Sequence, residues 1–216
     1  MLNVNDLLLY LCTDRLLAKG RPITEAVEAA IAGGVTMVQL REKEAETREF
    51  YAIALEIQAV TRRHKIPLVI NDRVDIALAI GADGLHLGQT DMPIAVARRL
   101  AGKALFIGIS AGTVEEAAEA EKAGADYLGV GAIYPTGSKA DAGQAVGPGR
   151  LREIRAAVKL PLVAIGGIGP ENAAEVLAAG ADGVAVISAV LSQPDIREAA
   201  AALKKTLLAE KSFGKV

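Results

Sequence analysis

The string VQLREK places Gln39, Arg41 and Lys43 at alternate positions. If it ends a β-strand, all three side chains project to one face and climb towards the carboxyl edge, an amide followed by two cations. Arg and Lys are seldom buried without partners, and an interior pair with no carboxylate near it on the same face of the strand would be a poor structural device, so the trio reads as a site. The alternative is a strand that has already left the interior for solvent. Asn71 and Asp72 in VINDRVD, followed by Asp91 in HLGQTDMP, add an amide and two carboxylates. Magnesium takes hard oxygen ligands, usually one or two protein carboxylates with water and substrate phosphates completing the octahedron, whereas no Cys/His cluster here could build a zinc site. Magnesium with a diphosphate fits this set; helix capping by Asp72 and by Asp91, ahead of a helix starting near Pro93, is the competing use.

A second group suits a phosphate. AIGGIGP and AVISA bring Gly166, Gly167 and Ser188 to two neighbouring strand ends. Paired glycines let backbone N–H groups approach an anion without a Cβ in the way, and helix N-termini beyond them add a favourable dipole. Tight packing turns are the plainer explanation. The polar loop YPTGSKADAGQAVGPG carries Thr136, Ser138 and Lys139. Loops this long in a compact domain are often lids, and Lys139 would put a cation over the mouth unless the loop is merely solvated. Ser110 in GISAGT is a polar contact or the start of a helix. His86 reads as an inward, hydrogen-bonded core residue, and Cys12 as a small buried hydrophobe.

The elements that must hold these residues alternate. Short apolar runs at Leu7 to Cys12, Met37 to Leu40, Leu68 to Ile70, Gly84 to Leu87, Leu105 to Ile109, Tyr127 to Val130, Leu162 to Ile165 and Gly183 to Ile187 read as strands. Between them, Ile23 to Ala32, Thr47 to His64, Val114 to Ala123, Asn172 to Ala179 and Ile196 to Ala209 have helical spacing. Such alternation predicts a parallel sheet with crossover helices. A repeat precedes every even-numbered strand: Gly34-Val35-Thr36, Gly81-Ala82-Asp83, Gly124-Ala125-Asp126 and Gly180-Ala181-Asp182. Aligning the four puts Met37, Gly84, Tyr127 and Gly183 together, and two residues on Gln39, His86, Gly129 and Ala185. This mixed set should face inward and the aliphatic residues between should face the helices. Four such quarters close into an α/β (β/α)8 TIM barrel, predicted as one domain over residues 1–216 with reactive groups at the carboxyl ends of the strands.

Composition narrows the function classes. Hydrophobic residues are 51% of the 216, which is too many for a disordered chain. The 24 Lys and Arg against 26 Asp and Glu leave a net charge of -2, with no block of one sign to mark a nucleic-acid partner. Apolar runs fall well short of the ~20 residues of a membrane span, so no membrane role is expected. The start of the chain lacks a basic leader, and a single cysteine fits a reducing compartment. A cytoplasmic protein is expected, and a homo-oligomer is compatible with the sequence.

Taken together, LYLCTD, VQLREK, VINDRVDIAL, GADGLHLGQTD, GISAGT, GADYLGVGAIYPTGSK, VAIGGI and GVAVISA, in order from Leu9 to Ala189, resemble the motifs of the thiamine phosphate synthases, or thiamine-phosphate pyrophosphorylases. The resemblance implies a transferase that joins a hydroxymethylpyrimidine diphosphate to a hydroxyethylthiazole phosphate, giving thiamine monophosphate and diphosphate, with Mg2+ as cofactor. It implies that Gln39 and Ser110 contact the pyrimidine, and that Arg41, Lys43, Asn71 and Lys139 hold its diphosphate. Asp72 and Asp91 would bind magnesium, while Thr136, Ser138, Gly167, Ile187 and Ser188 would grip the thiazole phosphate. Arg41, Lys43, Lys139 and Ser110 would form the catalytic set. Two positions depart from the family: Ser138 stands where Thr is common, and Gly112 where relatives often have His. In the related thiazole tautomerases that His is thought to transfer protons, so Gly112 speaks against a tautomerase-like isomerase. A non-catalytic barrel that binds phosphorylated metabolites is the remaining alternative.

Overall fold

The computed structural model describes residues 2–138 and 144–213. Eight parallel strands close into a barrel in sequence order, β1 (Leu9–Cys12), β2 (Met37–Leu40), β3 (Leu68–Asn71), β4 (Gly84–Leu87), β5 (Phe106–Ala111), β6 (Tyr127–Val130), β7 (Leu162–Ile165) and β8 (Gly183–Val186). The connecting helices are α1 (Ile23–Ala32), α2 (Thr47–His64), α3 (Val74–Ile80), α4 (Ile94–Ala101), α5 (Val114–Lys122), α6 (Gly147–Ala157), α7 (Ala173–Ala178), α8 (Ser188–Leu191) and α9 (Ile196–Phe213). The (β/α)8 architecture expected from the alternation is therefore present. Helices α3, α4, α6 and α8 come in addition to those singled out by spacing; they are short or carry few apolar residues.

Local chemistry accounts for the elements. Helix α2 buries Phe50, Ala54, Ile57 and Thr61 at steps of three and four, a single stripe against the barrel. Helix α5 opens with a capping box, Thr113 accepting from Glu116 N at 3.1 Å while Glu116 Oε2 accepts from Gly112 N at 2.7 Å and Thr113 N at 3.3 Å. The fourfold repeat has a mechanical purpose that its spacing alone does not reveal. Its glycines, Gly34, Gly81, Gly124 and Gly180, all take positive φ, turning the chain back from a helix towards the sheet. The residues two places on then pin the preceding strand: Thr36 Oγ1 accepts from Leu9 N, and Asp83, Asp126 and Asp182 accept from Leu68 N, Ile107 N and Leu162 N at 2.7–2.9 Å. Each returns its own backbone N–H to the carbonyl of residue 9, 68, 107 or 162 respectively. Neighbouring strands are thus locked in register at the amino end of the barrel, opposite the end where chemistry is expected.

The start of the first strand differs from the expectation. Residues Val4–Leu7 form a 3-10 turn held by an Asn3/Asp6 capping box, and β1 begins only at Leu9. This turn crosses the barrel bottom against Gly183, where a Cβ would come within 1.8 Å of the Leu7 carbonyl oxygen. At the other end β8 stops at Val186, because Ile187 turns the chain into α8.

Candidate active site

The carboxyl ends of the strands surround a cavity of about 1410 Å3. Arg41, Lys43, Asn71, Asp72 and Asp91 line one part of its wall, and Thr136, Ser138, Gly167, Ile187 and Ser188 another, with Ser110 and His86 between them in the chain. Every residue implicated from sequence lines this cavity except Gln39, which lies beneath it, and Lys139, which falls outside the described residues. The expected lid, residues 135–147, is likewise described only in part, since 139–143 lie outside.

The strand end in VQLREK is ordered as its alternation requires. Gln39 is buried, the Arg41 side chain is 12% exposed and the Lys43 side chain 40%, a climb from floor to rim. No carboxylate shares their face of the strand in sequence, but space supplies two. Lys43 Nζ lies 2.6 Å from Asp72 Oδ2, and Arg41 Nη1 lies 3.7 Å from Asp14 Oδ2. The partners come from the ends of β3 and β1, so the two strands that flank β2 supplied them. Thr13 just past β1 fixes the backbone, donating its N–H to the Gln39 carbonyl at 2.9 Å and accepting from Arg41 N at 3.0 Å.

Neither aspartate caps a helix. The residues preceding α3 and α4, Arg73 and Pro93, make no side-chain cap bond. Asp91 instead accepts from Gly88 N at 2.7 Å, folding its own loop back over β4. Asp72 sits at φ +62°, a left-handed conformation that Asp tolerates better than most residues, and this aims its carboxylate at Lys43 and Asp91. Its carboxyl is held above the ordinary aspartate range chiefly by burial, with Asp91 adding to the rise and Lys43 opposing it. A 2.6 Å ion pair therefore does not fully compensate two carboxylates brought together away from water. Among the described residues no three or more His, Cys, Asp or Glu side chains cluster as a complete metal cage.

At the opposite part of the wall the two loops touch. Ser138 Oγ donates to Ser188 Oγ at 3.0 Å, and Ser138 N bonds to Thr136 Oγ1 at 3.2 Å. Gly167 takes φ +64°, and a Cβ there would lie 2.8 Å from the Pro135 carbonyl oxygen, so glycine is what lets the β7 loop approach the β6 loop.

The family model of thiamine monophosphate synthase matches residues 9–190. A thiamine-phosphate synthase of Clostridium novyi is 56% identical over 195 residues, covering 90% of this chain and 96% of that one. One from Methanospirillum hungatei JF-1 is 56% identical over 191 residues, covering 88% and 93%. Among solved structures, a thiamine phosphate pyrophosphorylase from Pyrococcus furiosus superposes with a TM-score of 0.89 at 48% identity, over 96% of this chain and 98% of that one. The chain belongs to the thiamine monophosphate synthase family. It is accordingly a transferase of thiamine biosynthesis built on a TIM barrel, and the isomerase and silent-barrel alternatives lose their standing.

Within this family member, three features of the site escaped the sequence reading. Glu42, between the two cations, turns away from the cavity and is 4% exposed, with Oε2 2.8 Å from Arg15 Nε and Oε1 buried without a hydrogen-bond partner among the described residues. Burial raises its carboxyl pKa against the pull of Arg15. The pair anchors the segment so that Arg41 and Lys43 must face the pocket; the alternation of VQLREK already placed Glu42 on the opposite face. Lys19 also lines the pocket, its Nζ donating to the Ser192 carbonyl at 2.7 Å. Finally, Tyr10 and Tyr127 stand on the barrel floor beside His86 and Gln39.

Proposed function

We propose that the chain condenses 4-amino-2-methyl-5-hydroxymethylpyrimidine diphosphate with 4-methyl-5-(2-hydroxyethyl)thiazole phosphate, the diphosphate seated at Arg41, Lys43 and Asn71 and the thiazole phosphate at Thr136, Ser138, Gly167, Ile187 and Ser188. The observation that carries this division is that one cavity holds a cation-and-carboxylate group on the ends of β2 to β4 and an uncharged hydroxyl-and-glycine group on the loops after β6 to β8. Its volume exceeds the ~300–1,000 Å3 usual for one small ligand, as two substrates require. Lys139 keeps the diphosphate role that the resemblance implies.

Magnesium fits the residues present. Asp72 and Asp91 crowd two carboxylates together, the raised pKa of Asp72 marks a shortage of positive charge there, and two carboxylates suffice when substrate oxygens and water complete the shell. These two residues would hold the ion, which when bound supplies positive charge to a departing diphosphate. Arg41 and Lys43 stabilise the negative charge that grows on the bridging oxygen as the carbon–oxygen bond breaks. The thiazole phosphate group anchors the second ring so that its nitrogen meets the methylene carbon. No protein nucleophile is needed, and the loops must keep water from the electrophilic carbon. The absence of any described helix long and apolar enough to cross a membrane, and the single buried cysteine, are in keeping with work in the cytoplasm.

The test is to titrate each substrate separately into the protein and its variants. Arg41→Ala should weaken the pyrimidine diphosphate and spare the thiazole phosphate, and Ser188→Ala should do the reverse. Equal losses for both ligands would mean one shared anion site.

A further inference from the structure

A row of five polar side chains crosses the floor of the barrel. Gln39 Nε2 donates to the Tyr10 hydroxyl at 2.8 Å, the Tyr10 and Tyr127 hydroxyls are 3.0 Å apart, Tyr127 Oη is 2.9 Å from His86 Nδ1, and His86 Nε2 is 2.9 Å from Ser110 Oγ. Barrel interiors are ordinarily filled by branched aliphatic side chains, and a buried hydroxyl or amide is costly unless bonded. The chain makes room for the row: a Cβ on Gly108 would lie 2.0 Å from Tyr127 Cζ, and one on Gly129 3.0 Å from His86 Cε1. Burial pushes both phenols above their ordinary pKa, so both remain protonated at neutral pH.

The direction of the bonds follows from the end at Gln39. Because the Gln39 amide donates to the Tyr10 oxygen, the Tyr10 hydrogen must find an acceptor, and the Tyr127 oxygen lies in reach at 3.0 Å. The Tyr127 hydrogen then goes to His86 Nδ1. A neutral imidazole that accepts at Nδ1 carries its proton on Nε2, which donates to Ser110 Oγ and leaves the Ser110 hydrogen free to turn elsewhere. At the far end, Gln39 Oε1 is buried with no hydrogen-bond partner among the described residues. A cavity of about 20 Å3, walled by all five residues, shares His86 and Ser110 with the large pocket above.

We propose that Tyr10, Tyr127 and His86 are positioning residues that fix this polarity, so that Gln39 offers an acceptor and Ser110 a donor to an aromatic ring bearing an exocyclic amine beside a ring nitrogen. The inference rests on the assignment of Gln39 and Ser110 to the pyrimidine. Such a ring presents an N–H and a lone pair, the complement of the two ends; an oxo-substituted ring presents the opposite pattern and meets like against like. The floor therefore selects amino- over oxo-pyrimidines, although three of its five members are assigned no contact with the ring.

Nitrogen NMR of histidine-labelled protein tests the polarity without ligand. The chain has two histidines, exposed His64 and buried His86, so the signals separate. His86 should carry its proton on Nε2 with Nδ1 bare across neutral pH; a proton on Nδ1 overturns the proposal in the unmodified protein. Tyr127→Phe, which removes only the hydroxyl, should mix the tautomers. It should also raise KM for the pyrimidine diphosphate by about tenfold to a hundredfold, the effect of one unpaired buried polar group, and leave KM for the thiazole phosphate unchanged. Tyr10→Phe serves the same purpose should Tyr127→Phe fold poorly. Equal effects on both substrates, with the tautomer unmoved, would mean that the row only packs the floor. If the tautomer is as stated but Ser110→Ala leaves pyrimidine KM unchanged, the ring assignment fails and the selection with it, while the polarity stands.

Discussion

Replacing Asp72 by Asn separates the chemistry of this carboxylate from its structural setting. Asp72 sits at φ +62°, where Ala would add roughly 1–2 kcal/mol of backbone strain and Asn, like Asp, adds little. Asn is therefore the clean substitution. Burial, and then Asp91, hold the Asp72 carboxyl above its ordinary 3.8 despite Lys43. The folded protein thus binds this proton more tightly than the unfolded chain, stability declines as pH rises above the unfolded value, and at neutral pH the ionised side chain weighs against the fold. Asp72→Asn removes that burden, and Lys43, 40% exposed, can turn to water. The melting temperature without ligands should be equal or higher. If Asp72 holds the cation as proposed, turnover should fall by about a hundredfold, ~2.7 kcal/mol of lost transition-state stabilisation, because the substitution would remove that ligand beside the leaving group. The assay follows release of diphosphate and thiamine monophosphate at saturating magnesium, beside a thermal melt of the same sample. A variant that melts lower but turns over at the parental rate would show that Asp72 is a structural partner of Lys43 and refute the reasoning.

Chelation should abolish coupling and restored magnesium should recover it; undiminished turnover in chelator would remove the metal from Asp72 and Asp91. Gly108→Ala should destabilise the barrel by about 1–3 kcal/mol in denaturant titration, because its Cβ would have to displace the Tyr127 ring 2.0 Å away, and parental stability would show that the ring has other room. In an alkaline titration followed by tyrosinate absorbance, Tyr10, Tyr127 and Tyr134 should resist ionisation, the last up to about 12, where burial and the bond to Glu175 hold its proton. Because the folded form keeps protons that the unfolded chain releases near 10, stability should fall as pH climbs beyond that value.

The barrel was legible in the chain because its cause is periodic. Strands and helices differ in the spacing of apolar residues, and the repeat ahead of each even strand recurs because the same helix stop and the same strand-pinning acceptor are needed four times around a closed sheet. The candidate site residues were legible for a related reason: chemistry collects at strand ends in this fold, so Arg41, Lys43, Asp72, Asp91 and Ser188, which line one cavity, could be picked out by position and type. Boundaries were less so, because the 3-10 turn at Val4–Leu7 owes its shape to packing across the barrel bottom rather than to its apolar content. Partnerships belong to tertiary structure alone. Lys43 and Asp72 are 29 residues apart, and Tyr10 and Tyr127 are 117 apart. No local pattern couples such positions, since what brings them together is the register of a closed sheet: each strand is set on its neighbour, Asn71 beside His86 and Gly108 beside Tyr127, and the ring of strands turns Tyr10 of β1 and Tyr127 of β6 towards one interior. The sequence by itself determined the fold, its repeat and most of the groups available for catalysis. Pairing of neighbouring strands decided which charges neutralise one another, and closure of the barrel decided which hydroxyls bond and that they meet on one floor.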